Sequence, residues 1–178
     1  MLMSGGHGRL GRHELTELMR SGGVESVVDI RRFPGSRANP GASRDAMSMW
    51  LPSAGIAYRW EERLGGRRRL APDAPREDPW WRVEQFAAYA AYTRTAPFDR
   101  ALAEVLAESA ERTVLVLCSE SVWWRCHRRL VADVAQLRFG VTITHLMHDG
   151  RLVPHQLAAG ARLRPDGLVQ WDAVDPTP

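Results

Sequence analysis

Thr113-Val114-Leu115-Val116-Leu117-Cys118-Ser119-Glu120, followed after five residues by Cys126-His127-Arg128-Arg129-Leu130-Val131-Ala132-Asp133-Val134, decides the reading of this chain. A short apolar run rich in β-branched residues, then a turn, then apolar residues at helical spacing, is the strand-turn-helix unit of α/β folds. The turn holds both cysteines of the sequence, beside a carboxylate, an imidazole and guanidinium groups.

Working outward, the same alternation recurs. Leu10, Leu15, Leu18 and Met19 have helical spacing and stop at Gly22-Gly23. Val24 to Ile30 reads as a buried strand that delivers Asp29, Arg31 and Arg32 to its C-terminal end. Residues 33–41 form a loop by their Pro, Gly, Ser and Asn content. Ser43 caps a helix carrying Met47, Trp50 and Leu51, which Pro52 should end or kink. Gly55 to Trp60 is a third strand, running into the charged, glycine-containing loop 61–67. Residues 70–80, with three prolines among acids, read as an irregular loop. Helices follow from Trp81 and from Pro97, which suits a first helical turn.

Val141 to Leu146 is the last clear strand, and Asp149-Gly150 marks a turn that makes a small terminal hairpin with Arg151-Leu152-Val153. By contrast, Met1 to His13 is glycine-rich, so a strand there is expected to be short and weakly specified. Strands interleaved with helices predict a three-layer α/β fold, a mostly parallel sheet with helices on both faces. The expected organisation is one domain over residues 1–165 and a polar, proline-containing tail over 166–178, anchored by Trp171 alone. In this fold class ligands sit outside the carboxyl ends of the strands. That rule gathers Asp29, Arg31, Glu62, Cys118 and Glu120 at one rim.

Bulk composition narrows the classes. With 178 residues, 44% hydrophobic, the chain can bury a sizeable core. No apolar run reaches the roughly 18 residues that cross a bilayer, and Met1 to Gly11 lacks an apolar secretory segment. A cytoplasmic protein with no membrane partner is expected. Two cysteines are too few for a disulfide scaffold. The net charge of +3 and pI near 9.4 invite a nucleic-acid reading. Yet all 24 basic residues are arginine, which with abundant Ala, Gly and Pro points equally to GC-rich coding. Clustering is the better guide, at Arg31-Arg32, Arg67-Arg68-Arg69 and Arg125-Arg128-Arg129.

Four ordered motifs carry a resemblance: Gly6-His7-Gly8, Val28-Asp29-Ile30-Arg31-Arg32-Phe33-Pro34-Gly35-Ser36-Arg37-Ala38-Asn39-Pro40, Leu64-Gly65-Gly66-Arg67, and Cys118-Ser119-Glu120 with Cys126-His127-Arg128. The set resembles the bacterial and archaeal family catalogued as domain of unknown function 488. The resemblance implies a compact α/β domain with these motifs around one pocket, and no settled activity. The chain departs from the pattern in three places: the usually apolar first strand is reduced to Met1 to Gly6, Gly8 replaces the usual serine, and Val122-Trp123-Trp124 stands where the family more often has Asp, Pro and Glu.

Each motif has a functional and a structural reading. Cys126 lies where a helix begins, so unpaired amides, the helix dipole and neighbouring His127 and Arg128 would make it nucleophilic. The alternative is a small buried thiol. A metal site built from Cys118, Cys126, His127 and Glu120 is disfavoured: the spacing matches no zinc signature, and adjacent residues on a helix diverge by roughly 100°. Neither metal nor cofactor is expected. Asp29 with Arg31 and Arg37 is either a phosphate cradle or a structural ion-pair network. Gly65-Gly66 allows close backbone approach. His7 faces the rim or is a satisfied loop residue. Trp123 and Trp124 would form a stacking lid for a base, and His145, His148 and His155 show no evident partners.

The leading expectation is nucleotide or nucleic-acid base processing. Catalysis would come from Glu120 or Asp29 with Cys126 assisting, and binding from Arg31, Arg37, Asn39, Gly65, Gly66, Arg67, His127, Arg128 and His7. The second is thiol redox or sulfur transfer by Cys126 with Cys118 resolving. The third is a non-catalytic nucleic-acid or protein binding module.

Overall fold

The computed structural model describes residues 1–35 and 39–173. Six strands form one sheet in the order β3-β2-β4-β1-β5-β6. They are β1 (Leu2–Gly6), β2 (Ser26–Asp29), β3 (Ala57–Trp60), β4 (Val114–Cys118), β5 (Thr144–Leu146) and β6 (Leu152–Pro154). All neighbours run parallel except β5 and β6, the hairpin expected at Asp149-Gly150.

Successive side chains of a strand point to opposite faces, and β4 shows the result. Val114 and Val116 enter one core with α3 (Glu84–Tyr92), α4 (Ala96–Glu111) and α5 (Arg128–Phe139). Leu115 and Leu117 enter a second core with α1 (Arg12–Ser21) and α2 (Arg44–Ser53). A buried parallel sheet therefore has helices on both faces, as the alternating pattern predicts. Local signals hold as well. The Ser43 hydroxyl accepts the Ala46 amide at the start of α2. Pro52 sits in that helix's last turn, and Gly140 ends α5 in the left-handed region at φ 68°.

Two expectations need correction. The N-terminal strand is not marginal: β1 is buried along its length and lies between β4 and β5. Its glycines are there for close approach. A Cβ on Gly6 would fall 1.9 Å from the Glu120 carbonyl oxygen, and one on Gly5 would press against Leu115. Nor is the segment after Pro165 held by Trp171 alone. Strand β8 (Val169–Trp171) pairs antiparallel with β7 (Ala161–Leu163), and Val169 and Trp171 both join the core.

The connection after β1 passes to α1 on one face, and the connection after β4 passes to α5 on the other. Because β1 and β4 are neighbours, their loops diverge and leave a crevice at the sheet's carboxyl edge. That is the topological switch point at which open α/β sheets bind ligands. Among the described residues no helix is long and apolar enough to cross a membrane.

Candidate active site at the carboxyl edge of the sheet

A cavity of about 390 Å³ opens at this crevice. Its sulfur-bearing wall is Cys118, Cys126 and His127, with Ser119 and Glu120 beside them. His7 and Arg31 come from the loops after β1 and β2. Gly66 and Arg67 close another side. Of the expected site residues, Asp29, Asn39, Gly65 and Arg128 do not line the cavity, and Arg37 lies outside the described residues.

The buried residues that fall short of the cavity hold those that reach it. Asp29 accepts Arg31 Nε (2.8 Å) and Arg31 Nη2 on its two oxygens, and Tyr58 Oη donates to the second at 2.8 Å. Burial, followed by the Asp29 charge, pushes the Tyr58 phenol far up, so it stays a donor. Arg31 also gives Nη1 to the Ala42 carbonyl (2.7 Å) and to His7 Nε2 (3.1 Å), and Nη2 to Met47 Sδ (3.5 Å). All five guanidinium hydrogens are thereby placed. His7 must accept at Nε2 and so carries its proton at Nδ1, donated to the Gly8 carbonyl at 2.9 Å. Burial, then the Arg31 charge, lowers its pKa and keeps it neutral. Asp29 is thus a positioning carboxylate rather than an acid/base at the cavity. Asn39 reaches the other way and donates to the Leu10 carbonyl at 2.9 Å.

Arg128 is buried, donates Nε to Cys126 Sγ at 3.4 Å, and gives Nη2 to the Glu120 carbonyl. It does not line the cavity, and Nε and Nη2 are committed to these internal partners. Burial raises the Cys126 pKa, but a hydrogen bond from the Cys118 thiol and the Arg128 charge outweigh it, leaving the group at about 6. The neighbouring Cys126 sulfur, then burial, pushes Cys118 up to about 12. Of the two thiols, Cys126 is therefore the one whose surroundings favour the thiolate. His127 Nδ1 lies 3.6 Å from Cys126 Sγ and 3.9 Å from Cys118 Sγ.

Cys126 is not yet helical. It follows the single 3-10 turn Trp123–Arg125 in an extended conformation (φ −128°, ψ 151°), with His127 as the helix N-cap. The angular argument against Cys126 and His127 acting together fails for this reason, because a 100° divergence applies only within a helix. Together with Cys118 they form a group whose three donor atoms lie within 4.8 Å of one another, a set that could hold a soft metal ion.

Gly65 and Gly66 are required for contact. Added Cβ atoms would meet Arg32 Cα at 2.8 Å and His127 Nδ1 at 2.9 Å. Gly66→Ala should displace the imidazole and cost about 1–3 kcal/mol by overpacking. Thermal melting is the check, and an unchanged midpoint would show that the ring has room to move.

Other wall residues were read differently in the sequence or not at all. Phe33, 63% exposed, and Phe86 and Tyr89 give the cavity its aromatic sides. Phe86 and Tyr89 have the i, i+3 spacing of a helix face. Trp123 and Trp124 do not line the cavity. Trp123 stacks inward on His145 at 4.1 Å, and Trp124 meets Trp123 edge-on from the surface. The stacking-lid expectation is corrected accordingly. At the mouth, Arg32, Arg67 and Arg125 make no ion pair among the described residues. Arg67 holds a left-handed backbone (φ 56°), a costly conformation for a residue that carries a Cβ.

A three-layer α/β domain whose switch-point crevice is walled by a cysteine pair, an imidazole and free guanidiniums defines the class. The family model described as "Domain of unknown function DUF488" matches residues 12–135, and the chain belongs to that family. No curated protein and no solved structure matches the chain.

Proposed function

We propose that the protein is a thiol-dependent enzyme in which Cys126 attacks a small anionic substrate and Cys118 resolves the product. One juxtaposition carries the reading: Cys126 lines the cavity, and its Sγ has Arg128 Nε at 3.4 Å, His127 Nδ1 at 3.6 Å and the second thiol within 4.8 Å. A cation, an imidazole and a thiol donor around one sulfur favour a thiolate nucleophile. The three unpaired arginines at the mouth favour a negatively charged substrate.

With a disulfide substrate the steps balance. The Cys126 thiolate attacks one substrate sulfur, the substrate S–S bond breaks, and the other substrate sulfur departs as a thiolate that solvent can protonate. Cys118, giving its proton to His127 Nδ1, then attacks Cys126 Sγ and expels the second substrate thiol. The two-electron oxidation of the pair to a disulfide matches the reduction of one substrate disulfide to two thiols, and a thiol reductant resets it. Nucleotide-base processing has less support, because Asp29, Arg31 and Arg128 are buried and committed to internal partners.

The test uses the anionic aromatic disulfide 5,5′-dithiobis(2-nitrobenzoate) on reduced protein treated with chelator. The wild type should release two thionitrobenzoates per chain and keep no adduct. Cys118→Ser should stop at one and retain a mixed disulfide on Cys126. Arg67→Ala and Arg125→Ala should slow this reagent severalfold while leaving the neutral 2,2′-dithiodipyridine unaffected. Release no faster from the wild type than from Cys126→Ser would remove the reading.

A further inference from the structure

Cys118 Sγ, Cys126 Sγ and His127 Nδ1 have a spacing that thiol exchange does not require. The two sulfur–nitrogen separations are 3.9 and 3.6 Å, and all three atoms lie within 4.8 Å of one another. Zinc binds sulfur at about 2.3 Å and imidazole nitrogen at about 2.0–2.1 Å in a tetrahedron, which puts neighbouring S and N atoms about 3.6 Å apart. The two sulfur–nitrogen separations therefore match the edges of a zinc tetrahedron, the sulfurs lie within 4.8 Å of each other, and all three residues line the cavity.

Besides its contacts to the two sulfurs, packing sets the imidazole in this position. Gly66 passes so close that a Cβ would lie 2.9 Å from His127 Nδ1, and the Tyr89 ring meets the imidazole at 5.0 Å, edge to face. The ring's other nitrogen, Nε2, is buried without a hydrogen-bond partner among the described residues. Nδ1 thus addresses the two sulfurs and nothing else. Arg128 Nε, 3.4 Å from Cys126 Sγ, would supply the hydrogen bond that zinc-bound thiolates commonly accept from their surroundings.

We propose that the reduced protein binds one zinc ion through Cys118 Sγ, Cys126 Sγ and His127 Nδ1, with the fourth position left to water or an anion in the cavity. This rests on the reading of the sulfurs as a reduced, reactive pair and adds a form of control to it. Bound zinc occupies the lone pairs with which Cys126 attacks and Cys118 resolves. Oxidation to the Cys118–Cys126 disulfide removes two of three ligands and releases the ion. The pair then senses both the thiol balance and the free metal.

The experiment loads chelator-stripped, reduced protein with cobalt(II) as a spectroscopic probe, then displaces it with zinc. The expected result is one cobalt per chain with thiolate-to-cobalt charge-transfer and tetrahedral d–d absorption. Both bands should be lost in Cys118→Ser and in Cys126→Ser, and affinity should fall about tenfold or more in His127→Ala. Zinc should also suppress thionitrobenzoate release. Absence of the charge-transfer band in the wild type, or equal binding by the doubly substituted Cys118→Ser/Cys126→Ser protein, overturns the site. Two-thiol release from metal-free protein that takes up no cobalt would overturn the zinc proposal alone. Cobalt bound by a protein whose sulfurs release no thionitrobenzoate after stripping would instead overturn the enzymatic reading and leave the metal site standing.

Discussion

Alkylation of Cys126 by iodoacetamide in the reduced, chelator-treated protein should rise with pH through a midpoint near 6 and flatten above pH 7. An ordinary thiol, with a pKa of 9.0, would keep rising to pH 9. The sign follows from the reactive species, which is the thiolate. A group lowered to about 6 is about nine-tenths ionised at pH 7, against about one-hundredth for an unperturbed thiol. That is a roughly 90-fold gain in thiolate. A less basic sulfur is also a weaker nucleophile, and a Brønsted coefficient near 0.4–0.5 over three pKa units returns about 20-fold of it. The net rate advantage at neutral pH is only severalfold, so the position of the midpoint, not the absolute rate, is the discriminating quantity. Arg128→Gln should move the midpoint up by about one unit or more, because Arg128 supplies both a charge and a donor to the sulfur. Cys118→Ala should do the same by removing the thiol that donates to Cys126. A wild-type midpoint above 8, or one indifferent to both substitutions, would show that the sulfur is an ordinary buried thiol.

How much of this was visible in the sequence depends on what kind of physics positions each residue. The strand-turn-helix at 113–134 could be read because β-branched periodicity and helical periodicity are local signals. β1 could not, since Ser4, Gly5 and Gly6 carry no strand propensity. Their place in the sheet is set by β4 and β5 on either side and by the need for bare Cα atoms against Glu120 and Leu115. Asp29 and Arg31 could be named from sequence but not given roles. Which of them reaches solvent depends on Tyr58, Ala42 and Met47, brought in from elsewhere in the chain. The tryptophan pair was misread for a related reason. A stacking lid needs Trp123 turned to the cavity, whereas a 3-10 turn places it on His145. The strand and turn histidines were judged partnerless because their partners are far away in sequence. Asp133 was the available clue: an acid inside the apolar run Leu130 to Val134 has to find donors.

Those donors form a buried chain that should make the fold acid-sensitive. The Asp133 oxygens accept Trp171 Nε1 at 2.8 Å, the Ala158 amide at 3.1 Å and His155 Nε2 at 2.8 Å. His155 therefore donates from Nε2 and accepts at Nδ1 from His145 Nε2, 3.0 Å away. His145 in turn accepts at Nδ1 from the Ser4 hydroxyl at 2.6 Å. A second proton on His145 would leave a buried cation facing a donor and a second imidazole. Burial first, then His155 and Arg128, lowers the His145 pKa to about 3. The unfolded chain, with its histidine near 6.5, takes up a proton that the folded chain refuses. Above pH 6.5 neither state binds it and stability is unaffected. Between 6.5 and 3 stability falls as pH falls, and below 3 the loss levels off. The full loss approaches about 4–5 kcal/mol at 1.36 kcal/mol per pKa unit, a large share of a typical domain's stability. His145→Gln keeps a donor and an acceptor near the same positions but cannot titrate. Its urea midpoint should be lower than the wild type's at pH 7, where the imidazole pairing is better, and should decline less steeply between pH 6.5 and 4, so that the two curves converge. Parallel decline of the two proteins would mean that acid acts elsewhere in the fold, and that the chain joining β1, β5, α5 and the C-terminal hairpin does not set its lower pH limit.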